Sequence, residues 1–379
     1  MWCDMTGFET FDGLNISSKF AICGLPLRYD SYKTCSFGCR YCFSENRKVM
    51  EFDKHLQVAN IPKLRKMLVR IFDKKEVNQT NFMDVLVSNR ITWHAGGMSD
   101  PFQPCEKTYG ITREAIELMK EYKVSCLFST KSDTIYDCQP DQDLHTFQMS
   151  VTNTRSDRTW EPNVPMFVKR KLFYKDLKDK GFKVGIRIQP FIPGVTTTDI
   201  IDEFSDADNI TIEGLKIVPQ NEDCKRFIFE NTNLKPSDFT QMGLLNMKPL
   251  IRQQLYKPYI EKLEAQGIPY SIADNDMHHI GTNYCCCGDR LVNISSCIDN
   301  TFLLHYYGEW CKEQLDEQLF LNGYRDCVCN HLFTSNRQEG CKTVQEFYDK
   351  RFYRRSSPWS PDFLYRGQNQ KTLIDFEDD

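Results

Sequence analysis

The stretch "TCSFGCRYCF" (residues 34–43) sets three cysteines, Cys35, Cys39 and Cys42, four and then three residues apart, with aromatic residues in the gaps. Three thiols cannot pair into disulfides without leaving one over, so count and spacing point to a metal centre. The chain carries 17 cysteines in all, again an odd number. The N-terminus "MWCDMTGFETFDG" has acidic residues and no apolar leader core. No run approaches the roughly 18 apolar residues of a membrane span. The expected location is therefore the cytoplasm, without membrane contact, where thiols stay reduced. The cysteines then read as metal ligands plus scattered buried thiols.

Outward from the trio, strand-like runs alternate with helical patterns. The runs are 27–32, 90–95, 124–130, 146–152, 183–191, 214–219 and 269–275. Between them, Thr112 is placed to cap a helix that puts Ala115, Met119 and Tyr122 on one face. Residues 165–180 pair Val168 with Leu172 and Phe173 with Leu177, and Gly181 stands where a helix end favours positive φ. A third helix over 256–266 stops at Gly267. Strand–helix–strand alternation implies right-handed crossovers and a parallel sheet. The fold class expected is α/β, a partial (β/α)6-type barrel, in which chemistry gathers at the C-terminal ends of the strands. The cysteine trio follows the first of these runs and falls on that rim. The domain reading is an N-terminal segment (1–24), a core barrel (25–280) and a cysteine-rich C-terminal extension (281–379).

Composition sets outer limits. Of 379 residues, 40% are hydrophobic and 26% charged, enough for a large core in a globular protein. A net charge of −4 argues against wholesale coating of nucleic acid or membrane. It hides two basic stretches: residues 33–75 carry eleven Lys/Arg against four Asp/Glu, and residues 169–187 carry eight against two. Each reads either as a solvated face or as a patch that steers an anionic substrate.

Three thiolates without a fourth local ligand suit a 4Fe–4S cube with one iron left open. Gly38 permits the tight curvature between ligands, and Phe37, Tyr41 and Phe43 are placed to screen the cluster. A structural zinc site is the alternative, its fourth ligand drawn from His94 or the C-terminal cysteines.

CxxxCxxC with an aromatic before the last cysteine resembles the signature of the radical S-adenosylmethionine (SAM) superfamily. "AGGMSDPFQPCE" (95–106), "STKSD" (129–133), "MSVT" (149–152), "EPNVP" (161–165) and "GIRIQPFIPG" (185–194) together resemble its spore photoproduct lyase-like branch, over about residues 25–220. The resemblance implies a radical SAM barrel. In it a 4Fe–4S cluster on Cys35, Cys39 and Cys42 binds SAM at the open iron. Reductive cleavage there yields a 5′-deoxyadenosyl radical for hydrogen abstraction. It also implies a reductant protein such as a flavodoxin or ferredoxin. The implied cofactor-binding residues are Tyr41 beside the cluster, Ser99 and Asp100 at the amino acid end of SAM, Lys131 on its carboxylate, Ser150 at the ribose and Gln189 beside the adenosyl group. Two departures stand out: Met98 occupies the usual acidic position of the glycine-rich turn, and Gly97 stands where the photoproduct lyases carry a cysteine, with Cys105 near but out of register. Repair of spore photoproduct itself is therefore not the expected reaction.

The extension holds Cys285, Cys286, Cys287, Cys297, Cys311, Cys327, Cys329 and Cys341, and "DNDMHHIG" (274–281) adds Asp276, His278 and His279. These either form a second metal or cluster site or are buried small hydrophobes. The aromatic-basic "KRFYRRSSPW" and the two basic stretches favour a nucleic acid or nucleotide substrate. The alternatives are a peptide- or protein-modifying enzyme with an auxiliary metal in the extension, and a zinc-stabilised binding module with no catalysis.

Overall fold

Period-two alternation governs the sheet. In the computed structural model, the described residues are 9–17, 25–44, 56–78, 81–155, 158–274, 277, 280–282, 286–287 and 291. The strands begin with β1 (Glu9–Phe11), β2 (Leu14–Ile16), β3 (Leu27–Tyr29) and β4 (Gln57–Ala59), followed by helices α1 (Ile61–Leu68) and α2 (Phe82–Ser88). Next come β5 (Trp93–Ala95), α3 (Glu106–Tyr109), α4 (Ile111–Tyr122), β6 (Cys126–Thr130), β7 (His145–Ser150) and α5 (Phe167–Asp179). They lead to β8 (Val184–Phe191), α6 (Asp199–Glu203), β9 (Ile210–Gly214), β10 (Lys216–Ile217) and α7 (Glu222–Asn231). The series closes with β11 (Phe239–Met242), β12 (Leu244–Met247), α8 (Pro249–Ala265) and β13 (Tyr270–Ile272).

The main sheet runs β13-β9-β8-β7-β6-β5-β3-β2. From β3 to β13 every neighbouring pair is parallel, and β2 joins antiparallel at the edge. Each parallel strand adds on the same side of its predecessor. With crossovers of one hand, all the helices then lie on one face and the other face curls inward as a lumen. The expected partial α/β barrel is the fold of the described residues, and the sheet stays open between its β2 and β13 edges.

The two faces differ chemically. Trp93, Phe128, Phe147, Ile186, Ile212 and Ile272 point outward and join one buried core with Ala115, Met119, Tyr174 and Leu263 of the helices. The alternate residues turn into the lumen and are mostly polar: His94, Ser129, Gln148, Arg187, Thr211, Glu213 and Ser271, all buried. A buried polar face requires internal partners. They are supplied by a chain of contacts: His94 Nε2 to Ser129 Oγ at 2.9 Å, Ser129 to Gln148 at 3.3 Å, Gln148 to Arg187 and Thr211 at 3.4 Å each, and Arg187 to Glu213 at 2.5 Å.

Three local expectations change. Thr112 does not cap α4. Gly110 is the N-cap, in left-handed conformation at φ 65°, and the buried Glu106 carboxylate accepts from the backbone of Thr112 at 2.9 Å and Arg113 at 3.0 Å. The Thr112 hydroxyl instead bonds the Pro101 carbonyl and Ser31. In α5, Leu177 is fully buried and Phe173 packs against the core, but Val168 and Leu172 are 61% and 63% exposed. The expected run at 214–219 divides. Its first residue ends β9, a parallel strand that starts at Ile210, and its middle forms β10 in a separate antiparallel sheet, β10-β12-β11. Alternation in "ITIEGLKIV" changes phase at Gly214, from apolar Ile210 and Ile212 to apolar Leu215 and Ile217, and that shift is the point where the chain leaves the barrel. Gly181 and Gly267 do terminate α5 and α8 with φ of 85° and 64°. Among the described residues no helix is long and apolar enough to cross a membrane.

Candidate active site

One cavity opens at the C-terminal ends of the parallel strands, with about 780 Å³ of empty space counting its mouth. Cys35, Cys39, Cys42 and Tyr41 line it from the loop after β3. Ser99 and Asp100 line it from the turn after β5, Lys131 from beyond β6, Ser150 from the end of β7 and Gln189 from β8. The nine residues that the resemblance implies for cluster and SAM binding thus line one cavity, although they span residues 35 to 189.

The cysteine loop is clamped by polar contacts from three directions. Gln103 accepts from Ser36 N at 2.7 Å and donates to the Thr34 carbonyl at 2.9 Å. Asn163 Nδ2 donates to the Ser36 carbonyl at 3.1 Å, and Arg40 N donates to the Trp160 carbonyl at 3.0 Å. The Arg40 guanidinium lies 3.6 Å over the Phe227 ring of α7. Gly38, at φ 61°, makes the bend between the first two cysteines. Phe37 and Tyr41 are buried, and both border the cavity with Phe43.

Burial pushes the Cys35 thiol up to about 12, with the nearby Asp100 adding to it, and holds Cys39 well above the ordinary thiol range. Thiolates here are therefore costly unless a bound cation offsets them. Among the described residues no three His, Cys, Asp or Glu side chains converge to hold a single metal ion. His94, weighed as a fourth ligand, spends both ring nitrogens inside the lumen. Arg28, always a donor, bonds Nδ1, so Nε2–H donates to Ser129. Burial, with Arg28 and Arg187 nearby, holds its pKa well below the ordinary value.

Asp100 is buried, and its carboxylate accepts from Phe102 N at 3.0 Å, Thr130 Oγ1 at 2.8 Å and Lys131 N at 2.7 Å. It ties the turn after β5 to the loop that carries Lys131. Ser99 donates to the Tyr32 carbonyl at 2.5 Å. Gly96 makes this docking possible: at φ 89°, a Cβ there would stand 2.0 Å from the Ser129 carbonyl oxygen.

Sequence reasoning quoted Glu161 within "EPNVP" but gave it no role, and it stands behind Tyr41 and Lys131 of the cavity wall. Glu161 accepts from the Tyr41 hydroxyl and from Arg170 Nη2 at 2.9 Å, with Lys131 Nζ at 3.6 Å. Burial opposes its ionisation, but Arg170 first and Lys131 second outweigh it and hold its pKa at about 2. Arg170 also donates to the Ser150 carbonyl at 2.7 Å, and Lys131 donates to the Gln189 carbonyl at 3.3 Å. A second such group stands at the β9 end of the cavity. Glu213 accepts from Arg187 Nη2 at 2.5 Å and from Lys216 Nζ, and Lys216 lines the cavity. The signal for Arg187 and Glu213 was present: charged residues at alternate positions of otherwise apolar strands, "VGIRIQPF" and "ITIEG".

The basic stretch 169–187 is not a bare cationic face. Arg170 and Arg187 point inward to carboxylates, Lys171 pairs with Glu203, Lys178 with Asp208 at 3.0 Å and Lys180 with Asp176 at 2.9 Å. In the extension, Cys287 and Leu291 are fully buried against Leu25 and Leu127, and the Cys286 carbonyl accepts from Thr211 at 3.0 Å and Gln148 at 3.2 Å. Cys287 is thus a buried thiol of the lumen, whereas Cys286 is only partly buried. Cys285, Cys297, Cys311, Cys327, Cys329, Cys341, Asp276, His278, His279 and the "KRFYRRSSPW" segment lie outside the described residues. Cys105 is half-buried and is not part of the cavity wall.

No protein-family model and no curated protein matches the sequence. Solved structures similar to the chain include a variant of spore photoproduct lyase, at 14% identity and a TM-score of 0.49, covering 68% of this chain and 78% of that one. Spore photoproduct lyase complexed with dinucleoside spore photoproduct is similar at 14% identity and a TM-score of 0.47, covering 68% and 80%. SuiB from Streptococcus suis bound to S-adenosylmethionine is similar at 12% identity and a TM-score of 0.38, covering 68% and 52%.

Proposed function

We propose that the chain is a radical SAM enzyme that acts on a nucleic acid or nucleotide. Cys35, Cys39 and Cys42 would hold a 4Fe–4S cluster, leaving one iron open to SAM. Such a cluster, reduced by an external one-electron donor, would supply the one-electron chemistry that cleaves SAM to methionine and a hydrogen-abstracting 5′-deoxyadenosyl radical. The observation that carries this reading is the meeting of the three thiols with Lys131, Ser150 and Gln189 around one cavity at the C-terminal ends of the barrel strands.

The chain's own residues have separate tasks. Phe37, Tyr41 and Phe43 exclude water from the thiol side. Lys131, steadied by Glu161 and the Gln189 carbonyl, presents an ammonium to the carboxylate of SAM. Asp100 fixes that loop through its backbone and, with Ser99, lines the cavity where the amino acid end of SAM would sit. The Tyr41 phenol is kept protonated by burial, by Cys39 and by Glu161, so it donates to Glu161 and does not act as a base.

Anaerobic reconstitution followed by SAM and a reductant tests the proposal. Iron with inorganic sulfide and formation of 5′-deoxyadenosine are expected, and replacing all three cysteines with Ala removes both. Zinc alone in the purified protein would indicate a binding module and overturn the proposal. Lys131→Ala is expected to weaken SAM binding by about tenfold or more while the iron content holds.

A further inference from the structure

The cavity wall repeats one arrangement. Glu161 is shared by Arg170, 1% exposed, and Lys131, 13% exposed. Glu213 is shared by Arg187, 8% exposed, and Lys216, 15% exposed. In each set one buried carboxylate meets one buried arginine and one lysine whose side chain lines the cavity. One negative charge cannot neutralise two positive ones, and the arginine holds the closer claim in the first set. Among the described residues neither lysine's ammonium is bonded to a second carboxylate, although Asp100 accepts from the Lys131 backbone N at 2.7 Å. Asp274, near Lys216, is already committed to Arg252 at 3.2 Å, Tyr256 at 2.8 Å and the Gly214 backbone at 3.0 Å. Arg187 spends its other donors on neutral acceptors, the side-chain oxygens of Gln148 and Gln189 and the Cys286 carbonyl. Each set therefore offers the cavity about one unbalanced positive charge in a low-dielectric wall.

The two sets stand apart in the sheet. Lys131 follows β6, in the middle of the sheet, whereas Lys216 sits just past β9, three strands further on and next to the β13 edge, with Gln189 of β8 touching both sets. If Lys131 serves SAM, as the proposed function holds, Lys216 is left for an anion that SAM does not supply. We propose that Lys216, backed by Glu213 and Arg187, anchors a phosphate group of the substrate and fixes which atom faces the cofactor. This rests on the proposed reaction and adds the substrate's handle. A phosphate is favoured because every nucleotide unit brings one, whereas a peptide backbone brings none.

The test measures anaerobic binding of the full, cluster-loaded chain with SAM to a fluorescent pool of mixed-sequence tetradeoxynucleotides, and to the same pool with uncharged methylphosphonate linkages. The charged pool should bind about ten- to hundredfold tighter. Lys216→Met, which leaves Glu213 its arginine, should lower that preference about tenfold and reduce the slope of log K against log salt by about 0.7, the value of one single-strand phosphate contact. Lys216→Arg should keep both. Three results would each overturn the assignment: an unchanged slope in Lys216→Met, a parallel loss of SAM affinity in that variant, or a Lys216-dependent preference for acidic peptides over oligonucleotides. The two readings fail separately. Formation of 5′-deoxyadenosine with an unchanged slope removes the phosphate anchor alone, and a changed slope in a chain that never forms 5′-deoxyadenosine removes the reaction alone.

Discussion

Glu161 shows how much one buried carboxylate organises. It holds the Tyr41 hydroxyl beside the cysteine loop, the Arg170 guanidinium under Ser150 and the Lys131 ammonium at the cavity wall. Glu161→Gln keeps the shape and removes the charge, leaving two cations without an anion. Breaking a buried pair in this way costs about 3–5 kcal/mol, so the urea midpoint should fall sharply at pH 7. The same residue sets a pH dependence. Its folded pKa, about 2, lies below its ordinary value of 4.5. A depressed carboxyl stabilises the fold fully above its unfolded pKa and loses that contribution as pH falls toward the folded one. The contribution is on the order of 3 kcal/mol at neutral pH and should be lost between about pH 4.5 and 2. Urea titrations across that window should show a shallower decline for Glu161→Gln than for the natural chain; equal declines would mean that Glu161 is not the group responsible.

At the scale of elements, the turn after β5 is built on one glycine, and its neighbour provides the control. Gly96 has φ of 89° and no room for a Cβ, whereas Gly97 has no positive φ and its nearest atom is Arg28 Nη1 at 3.9 Å. Gly96→Ala is expected to cost at least about 2 kcal/mol, combining left-handed strain with displacement of the Ser129 backbone. Gly97→Ala should stay within about 0.5 kcal/mol, as thermal denaturation of the two variants would reveal. These turns were legible because they follow strands with clear alternation, and the same alternation made the barrel readable from β3 to β8. The site residues came by motif and spacing, and Lys131, Ser150 and Gln189 line one cavity because strand ends set them there. Glu161 and Arg170 were given no role because their partnership crosses a loop and a helix, and Arg170 was counted within a basic stretch. Lys216 escaped because it fell inside the run 214–219, which was read as a strand of the barrel. The antiparallel sheet was missed because the short strands around Gly243 have no apolar period of their own.

For the molecule as a whole, the lumen is finished by residues far along the chain. Leu291 is fully buried beside Gly185 of β8, and the Cys286 carbonyl takes donors from β7, β8 and β9. No local pattern announces this, since a segment beyond residue 280 packs on strands a hundred residues earlier. Leu291→Ala should destabilise the barrel by about 2–5 kcal/mol, the usual cost of a buried leucine side chain. Loss of stability alone would not prove the contact, but coupling to Gly185 does. A Cβ at Gly185 would stand 2.6 Å from Leu291 Cδ1 and 2.9 Å from the Asn209 carbonyl oxygen. Gly185→Ala therefore meets two obstacles in the natural chain and one when Leu291 has been shortened. Residues in contact couple by about 0.5–3 kcal/mol in a double-mutant cycle, and residues that do not touch simply add. Denaturant titration of the two single variants and the double variant should show Gly185→Ala costing less in the Leu291→Ala background by at least about 0.5 kcal/mol. Strict additivity would mean that this segment does not seat against β8, and the polar lumen would then need another partner to close it.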